Sequence, residues 1–239
     1  MKIRIKFSKQ GNLRFVGHLD MMRYFQKANR RAELPIAYSE GFSPHQIMSF
    51  AAPFGMGLEG LAEYFDIRIA EGAEGRIHSA DAVRELNAQM AEGVEILSFL
   101  KIPDDAKNCM SIVRAADYHI YFPSAPAGCE SETLHAALHT ACQELLAREQ
   151  IPVKKQGKNG KERELDIRPM IFSLSADGAG LKMRIAQGSE ANLKPELLLS
   201  ALFITEAGAS FADLRYRIVR TELYDAEMRT LESYGEFIE

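Results

Sequence analysis

Lys2-Ile3-Arg4-Ile5-Lys6-Phe7 alternates charged and apolar side chains. A period of two is the pattern of a half-buried strand, with one face on a core and the other in water. Gly11-Asn12 breaks it. Residues 18–32 then place Leu19, Met22, Phe25, Ala28 and Ala32 at approximately helical spacing, which predicts an amphipathic helix. Pro35 prevents its continuation, because proline donates no amide hydrogen bond and its ring clashes with the preceding turn. A short strand over 47–51, a stronger one over 63–70, a helix over 80–91 and a strand over 94–101 follow. Ser79 is the expected N-cap of that second helix, its hydroxyl accepting from the free amides of the first turn. The order is β-α-β-β-α-β, the ferredoxin-like unit.

The second half nearly repeats this order. A strand is predicted over 117–122 and a helix over 131–148. A basic hairpin follows, its arms at 152–157 and 162–167 and its turn at Lys158-Asn159-Gly160; Asn-Gly tolerates the positive φ of a tight turn. Strands over 170–176 and 180–187, joined at Asp177-Gly178, a helix over 195–204 and a strand over 215–224 close the unit. The expected fold is therefore α+β, two β-α-β-β-α-β (ferredoxin-like) units, the second carrying an inserted basic β-hairpin. The domains are expected at 1–105 and 112–239, with the hairpin at 152–167.

The chain of 239 residues has a formal net charge of −4, so the whole molecule is not drawn to nucleic acid or acidic membranes. The charge is unevenly spread. Residues 1–40 hold nine Lys/Arg against three acids, and residues 221–239 hold six acids with Arg229 as their one basic residue. No run approaches the roughly 18 apolar residues of a membrane span, and the N-terminus lacks the apolar core of a signal peptide. Cys109, Cys129 and Cys142 are odd in number and widely spaced, which suits free thiols in a reducing compartment. A cytoplasmic location is expected. No cofactor or metal site is expected either. The cysteine spacings match no iron–sulfur or zinc motif, His135 and His139 lack the glutamate of a zinc-protease helix, and Gly55-Met56-Gly57 lacks the lysine or third glycine of a nucleotide loop.

Two segments concentrate side chains with chemistry. In the first helix Asp20 sits in the first turn, where the macrodipole favours a carboxylate. Arg23, Lys27, Arg30 and Arg31 cover one face opposite the apolar stripe. That face reads either as a phosphate-binding surface or as a solvated charged face tied by an Asp20–Arg23 pair. The loop Ser39-Glu40-Gly41-Phe42-Ser43-Pro44-His45 holds a permissive glycine and a rigid proline around Phe42, which either stands outward for stacking or turns inward. If the chain is an enzyme, His18, Asp20, His45, Glu63 and Asp66 are the candidate acid/base cluster around this loop. In the hairpin, Lys154, Lys155, Lys161 and Arg163 read either as a ribbon along a phosphate backbone or as edge-strand charges that block aggregation. Asp166-Ile167-Arg168-Pro169 reads as a hinge or as part of a site.

Phe7-Ser8-Lys9 with Leu13-Arg14-Phe15, Gly17-His18-Leu19-Asp20-Met21-Met22-Arg23, Arg30-Arg31-Ala32 with Leu34-Pro35, Tyr38 to His45, and Glu63-Tyr64-Phe65-Asp66 together resemble the radical SAM-linked protein family of bacteria. The resemblance is strongest over residues 1–70 and continues through Arg163 to Pro169. Gly17 stands where that family usually has serine, and Gln46 where it often has a second proline. Some members are fused to a radical SAM domain, and many are encoded near ribosomal-protein and ribonuclease genes. The resemblance thus implies a radical SAM protein as partner and RNA as substrate. The functional expectation is an accessory module that binds structured RNA, tRNA or ribosomal RNA, and works with a radical SAM enzyme. The alternatives are an RNA-modifying or other acid/base enzyme using Asp20, His18 and His45, and a structural subunit that binds no nucleic acid.

Overall fold

The structure is a computed structural model that describes residues 1–123, 131–156, 162–178 and 180–239. It is α+β, and the chain divides into two compact units, Met1–Arg114 with Arg220–Glu239, and Ala115–Val219. In the first unit run β1 (Lys2–Lys9), α1 (His18–Arg31), β2 (Met48–Phe50), β3 (Leu58–Arg68), α2 (Ser79–Asn87), β4 (Val94–Ile102) and the single turn α3 (Cys109–Ile112). The second unit holds β5 (Ala115–Tyr121), α4 (Ser131–Leu146), β6 (Pro152–Gln156), β7 (Glu162–Asp166), β8 (Ile171–Asp177), β9 (Gly180–Ala186) and α5 (Pro195–Leu202). β10 (Arg217–Tyr224) carries the chain back, entering the first unit at Arg220.

β1 is the centre of the first unit's sheet. It pairs antiparallel with β3 on one side (Ile5↔Phe65) and with β4 on the other (Ile5↔Phe99). β2 pairs with the end of β3 (Met48↔Ile67, Phe50↔Phe65), and β10 is a further neighbour of β3. Ile3, Ile5 and Phe7 of β1 line the buried core with Met21 and Phe25 of α1. Phe7, Phe25, Phe50 and Phe65 form an aromatic cluster, with Phe7–Phe25 at 4.7 Å and Phe25–Phe65 at 4.8 Å between ring centroids. These tilted and edge-on contacts suit the ring quadrupoles.

The structure departs from the sequence expectations at three places. First, β1 is buried on both faces: Lys2 and Arg4 are buried as well as Ile3 and Ile5. The residues that cover the charged face come from far along the chain. Lys2 Nζ donates to the Ala106 carbonyl (2.6 Å), Arg4 Nη1 to the Leu231 carbonyl (3.1 Å), and Lys6 Nζ to Glu232 (2.7 Å) and Glu222 (3.3 Å). Second, of the expected apolar stripe of α1, Phe25, Ala28 and Ala32 are buried and Met22 packs against the core, but Met21 takes the inward place expected of Leu19. Met21, Phe25, Ala28 and Asn29 face inward, and Leu19 is exposed; the aromatic cluster seats Phe25, and its i−4 and i+3 neighbours follow it inward. Third, Ser79 does not cap α2. His78 is the N-cap, and the Ser79 hydroxyl instead accepts from the Ile238 amide (2.9 Å), while the Ser79 amide donates to the Ile238 carbonyl (3.0 Å).

In the second unit β9 pairs antiparallel with β5 and β8, and β6 and β7 form a separate two-stranded hairpin with Lys154 opposite Glu164. Leu134, Leu138, Ala141 and Leu145 of α4 are buried and recur at the spacing of one helical face. The turn residues Lys158-Asn159-Gly160 and Lys161, the Lys155 side chain and Cys129 lie outside the described residues.

Candidate functional site

The segment after α1 folds into a closed finger. Ile47 N donates to the Ala37 carbonyl (2.9 Å), Ser39 N to the His45 carbonyl (2.8 Å), and Tyr38 and Gln46 form an isolated bridge. These bonds make a short stem whose tip is residues 40–44. At the tip Gly41 has φ +106°, a conformation open to glycine and costly for side-chain-bearing residues. Phe42 at the apex is fully exposed, at 112% of its reference accessibility, so the outward of its two readings is the one realised. The stem is fastened to α1 through Gln46, which is buried. Its Nε2 donates to the Gln26 carbonyl (3.2 Å), and its Oε1 accepts from Asn29 Nδ2 (3.2 Å). This bond satisfies the Nδ2 of the buried Asn29, an unusual residue for a helix interior, while its Oδ1 has no partner among the described residues.

The exposed face of α1 carries the basic stripe. All four residues are exposed, but they are not equivalent. Arg23 lies 3.5 Å from Asp20, its pair on the same helix. Arg31 is held by the Gln89 side chain (3.2 Å) and carbonyl (3.1 Å). Lys27 and Arg30 are left as the exposed charges of the stripe available to a ligand.

Between the finger stem and the end of β3 lies a cleft of about 460 Å³. Its polar lining comes from Lys2, Ser39, His45, Ser49, Arg68 and Asn108, and Asp66 lies at its floor. Asp66 is buried and committed: its carboxylate accepts from Arg4 Nε (2.8 Å), Arg4 Nη2 (3.0 Å) and the Cys109 amide (2.8 Å). His45 is fixed by Ser39, whose Oγ lies 2.9 Å from His45 Nδ1 and accepts from the His45 amide (3.1 Å). Arg68 and Asn108 are exposed. Of these liners, His45 and Asp66 stand out in the sequence and the others do not. Arg68 had a readable signal: on β3 the two-residue period puts it on the same face as Asp66.

The acid/base candidates do not converge on one centre. Asp20 is on the exposed face of α1 with Arg23, and His45 and Asp66 share the cleft. Glu63 belongs to a different, buried group. Arg220 donates to both of its oxygens at 2.7 Å, and Arg220 Nη2 also donates to the Pro53 carbonyl (3.3 Å). Burial pushes the Glu63 carboxyl up from its ordinary value against the opposing pull of Arg220 and Lys9. Lys9 is itself inaccessible, its Nζ 3.3 Å from the Leu58 carbonyl and 5.2 Å from the centre of the Phe54 ring. Burial lowers its pKa. His18 packs on the same ring and on Phe50, both at 5.5 Å, with a buried Nδ1 that has no hydrogen-bond partner among the described residues. Burial, followed by the charge of Arg220, holds its imidazole below the usual range and therefore neutral. Glu63 and Asp66 thus serve as counter-ions to buried arginines, a role that fold stability alone can require.

In the second unit Lys154 and Arg163 are exposed on the hairpin. Asp166 is a turn residue: its Oδ1 accepts from the Ile151 amide (2.8 Å) and the Arg168 amide (3.0 Å). Cys109 and Cys142 are buried thiols, and burial pushes Cys142 up to about 12. Among the described residues no group of three or more His, Cys, Asp or Glu side chains is placed to hold a metal ion, and no helix is long and apolar enough to cross a membrane.

No curated protein matches the chain. Residues 2–195 match the family described as uncharacterised proteins conserved in bacteria (DUF2344), and the chain belongs to that family.

Proposed function

We propose that this protein is a cytoplasmic recognition module that binds structured RNA, tRNA or ribosomal RNA, and works with a radical SAM enzyme. The observation that carries the reading is Phe42: an aromatic ring with its whole surface in water, on a finger whose base is fastened to the helix bearing Lys27 and Arg30. A water-exposed ring on a braced loop is a stacking platform for an unpaired base, and adjacent cations neutralise the flanking phosphates. The hairpin of the second unit adds exposed Lys154 and Arg163 with the same chemistry. The radical SAM partner and the choice of RNA rest on the resemblance of residues 1–70 and not on geometry. The acid/base reading has less support, because Glu63 and Asp66 are engaged by Arg220 and Arg4.

Filter binding of tRNA and ribosomal RNA across a salt series tests this. Binding is expected to fall steeply with salt. Lys27→Ala with Arg30→Ala is expected to weaken binding across sequences and to lower the salt slope by about 1.5 to 2. Phe42→Ala is expected to cost about 1–3 kcal/mol with little change in slope. Absence of binding at low salt, or binding indifferent to all three substitutions, removes the reading.

A further inference from the structure

The cleft between the finger stem and the end of β3 has the chemistry of a site rather than of a packing defect. Arg68 is exposed, and its guanidinium makes no hydrogen bond or ion pair among the described residues. The buried Lys2 ammonium spends one proton on the Ala106 carbonyl and retains two more to donate. The Asp66 carboxylate contributes little opposing field, since Arg4 grips both its oxygens. The net field in the cleft is therefore positive. His45 lines it with one ring nitrogen already engaged by Ser39, which leaves the other to meet a ligand. Ile47, Met48 and Ile67 supply an apolar wall, and Asn108, with no capping bond from its side chain, supplies an amide able both to donate and to accept. A cationic end, an apolar wall and an amide for an edge are what a phosphorylated nucleoside needs, and about 460 Å³ falls within the roughly 300–1,000 Å³ of small-ligand pockets.

We propose that this cleft is a nucleotide site that receives one unpaired nucleotide of the bound RNA, its phosphate against Arg68, Lys2 and His45 and its base along the apolar wall with Asn108 at its edge. The inference rests on the RNA-recognition reading for the source of the nucleotide. The stem that carries His45 and Ser39 ends in the tip that carries Phe42, so one loop would serve both contacts, and extruding one base costs least where the strand is already unpaired.

The test is calorimetric titration of the full chain with the four ribonucleoside 5′-monophosphates, the matching nucleosides and inorganic phosphate, alongside RNA filter binding. At least one monophosphate is expected to bind, with its nucleoside and inorganic phosphate each about tenfold weaker or more, because each offers only part of the complementary surface. Arg68→Ala and His45→Ala change exposed residues, so both variants are expected to fold, which their thermal unfolding checks. Arg68→Ala is expected to weaken the monophosphate about tenfold or more, and Asn108→Ala to change the preference among the bases. Absence of any nucleotide binding, inorganic phosphate binding as tightly as the nucleotide, or indifference to Arg68→Ala overturns the proposal. If RNA still binds through Lys27 and Arg30 while the cleft takes no nucleotide, the cleft proposal falls alone. If a monophosphate binds the cleft and no RNA binds at low salt, the cleft stands as a site for a free nucleotide and the RNA reading falls.

Discussion

Asp66→Asn is expected to unfold the first unit far more easily than a surface change does. Asp66 and Arg4 are only 3% and 2% exposed, and the carboxylate accepts two bonds from the guanidinium and one from the Cys109 amide. The substitution keeps the shape but replaces one acceptor oxygen by an amide donor facing a cation, and it leaves that cation buried and uncompensated. Breaking such a pair from one side costs about 3–5 kcal/mol. At roughly 2–4 °C per kcal/mol for a chain of this size, the thermal midpoint should fall by about 6–20 °C. Arg4→Met should cost a similar amount, since the buried carboxylate is then unpaired. The double variant Arg4→Met with Asp66→Leu should lose less than the sum of Arg4→Met and Asp66→Leu made singly, because no lone charge remains. It should not recover fully, because the Leu231 carbonyl and the Cys109 amide lose their partners. A coupling on the order of 2–3 kcal/mol is expected from the cycle. Urea unfolding followed by a probe in the first unit is the assay. A loss under about 1 kcal/mol for Asp66→Asn, or strict additivity, would refute the counter-ion role assigned to Asp66, and unchanged stability with lost function would restore it as a chemical group.

Gly93→Ala should destabilise by about 1–3 kcal/mol, because Gly93 has φ +92° and an added Cβ would lie 2.7 Å from the Gln10 carbonyl oxygen; an unchanged unfolding midpoint would show that the contact is slack. Acid should loosen the C-terminal segment through Asp225, whose carboxylate is held below its ordinary pKa. Burial opposes ionisation there, but bonds from Tyr234 (2.6 Å) and Arg229 (2.9 Å) outweigh it. A depressed folded pKa contributes stability that is present above the unfolded value of about 4 and is lost as pH falls through the folded value. Asp225→Asn should therefore flatten the acid limb of a midpoint-versus-pH series, and a limb unchanged in slope would contradict the assignment. Phe42→Ala should leave the unfolding free energy within about 0.5 kcal/mol of the parent, since the ring buries nothing; a larger loss would mean that the ring packs in solution.

Element type was legible almost throughout, because it depends on local periodicity and on turn residues. The expected strand at 94–101 is β4, Val94–Ile102, and the expected hairpin arms are β6 and β7. Errors of phase, such as Leu19 for Met21 in α1, arise because several adjacent apolar residues fit one helical face about equally and neighbouring elements choose among them. The finger was legible as a motif, though not as a direction: Gly41 and Pro44 mark a tight loop, while the Gln46 bonds to Gln26 and Asn29 reveal its bracing against α1. The cleft was half legible, through His45 and Asp66. Lys2, Ser49 and Asn108 reach it from three separate elements, and no local rule links them.

The sequence alone determined the succession of strands and helices, the opposite charge of the two ends of the chain, and the positions of the basic stripe and the aromatic loop. Each of these is a property of neighbouring residues. The tertiary structure decided which charges are free. Half of the alternating pattern in Lys2–Phe7 predicts a wet face, yet Arg4 and Lys6 meet Asp66, Leu231, Glu222 and Glu232. Much of the basic excess of the first strand is thus neutralised within the chain, while Lys27, Arg30 and Arg68 remain open to solvent. The physical reason is that an ion pair depends on distance in space and on burial. The partners of Arg4 and Lys6 lie 62 to 227 residues away in sequence; the pairing of β3 with that strand brings in Asp66, and the folding of the C-terminal segment brings in Leu231, Glu222 and Glu232.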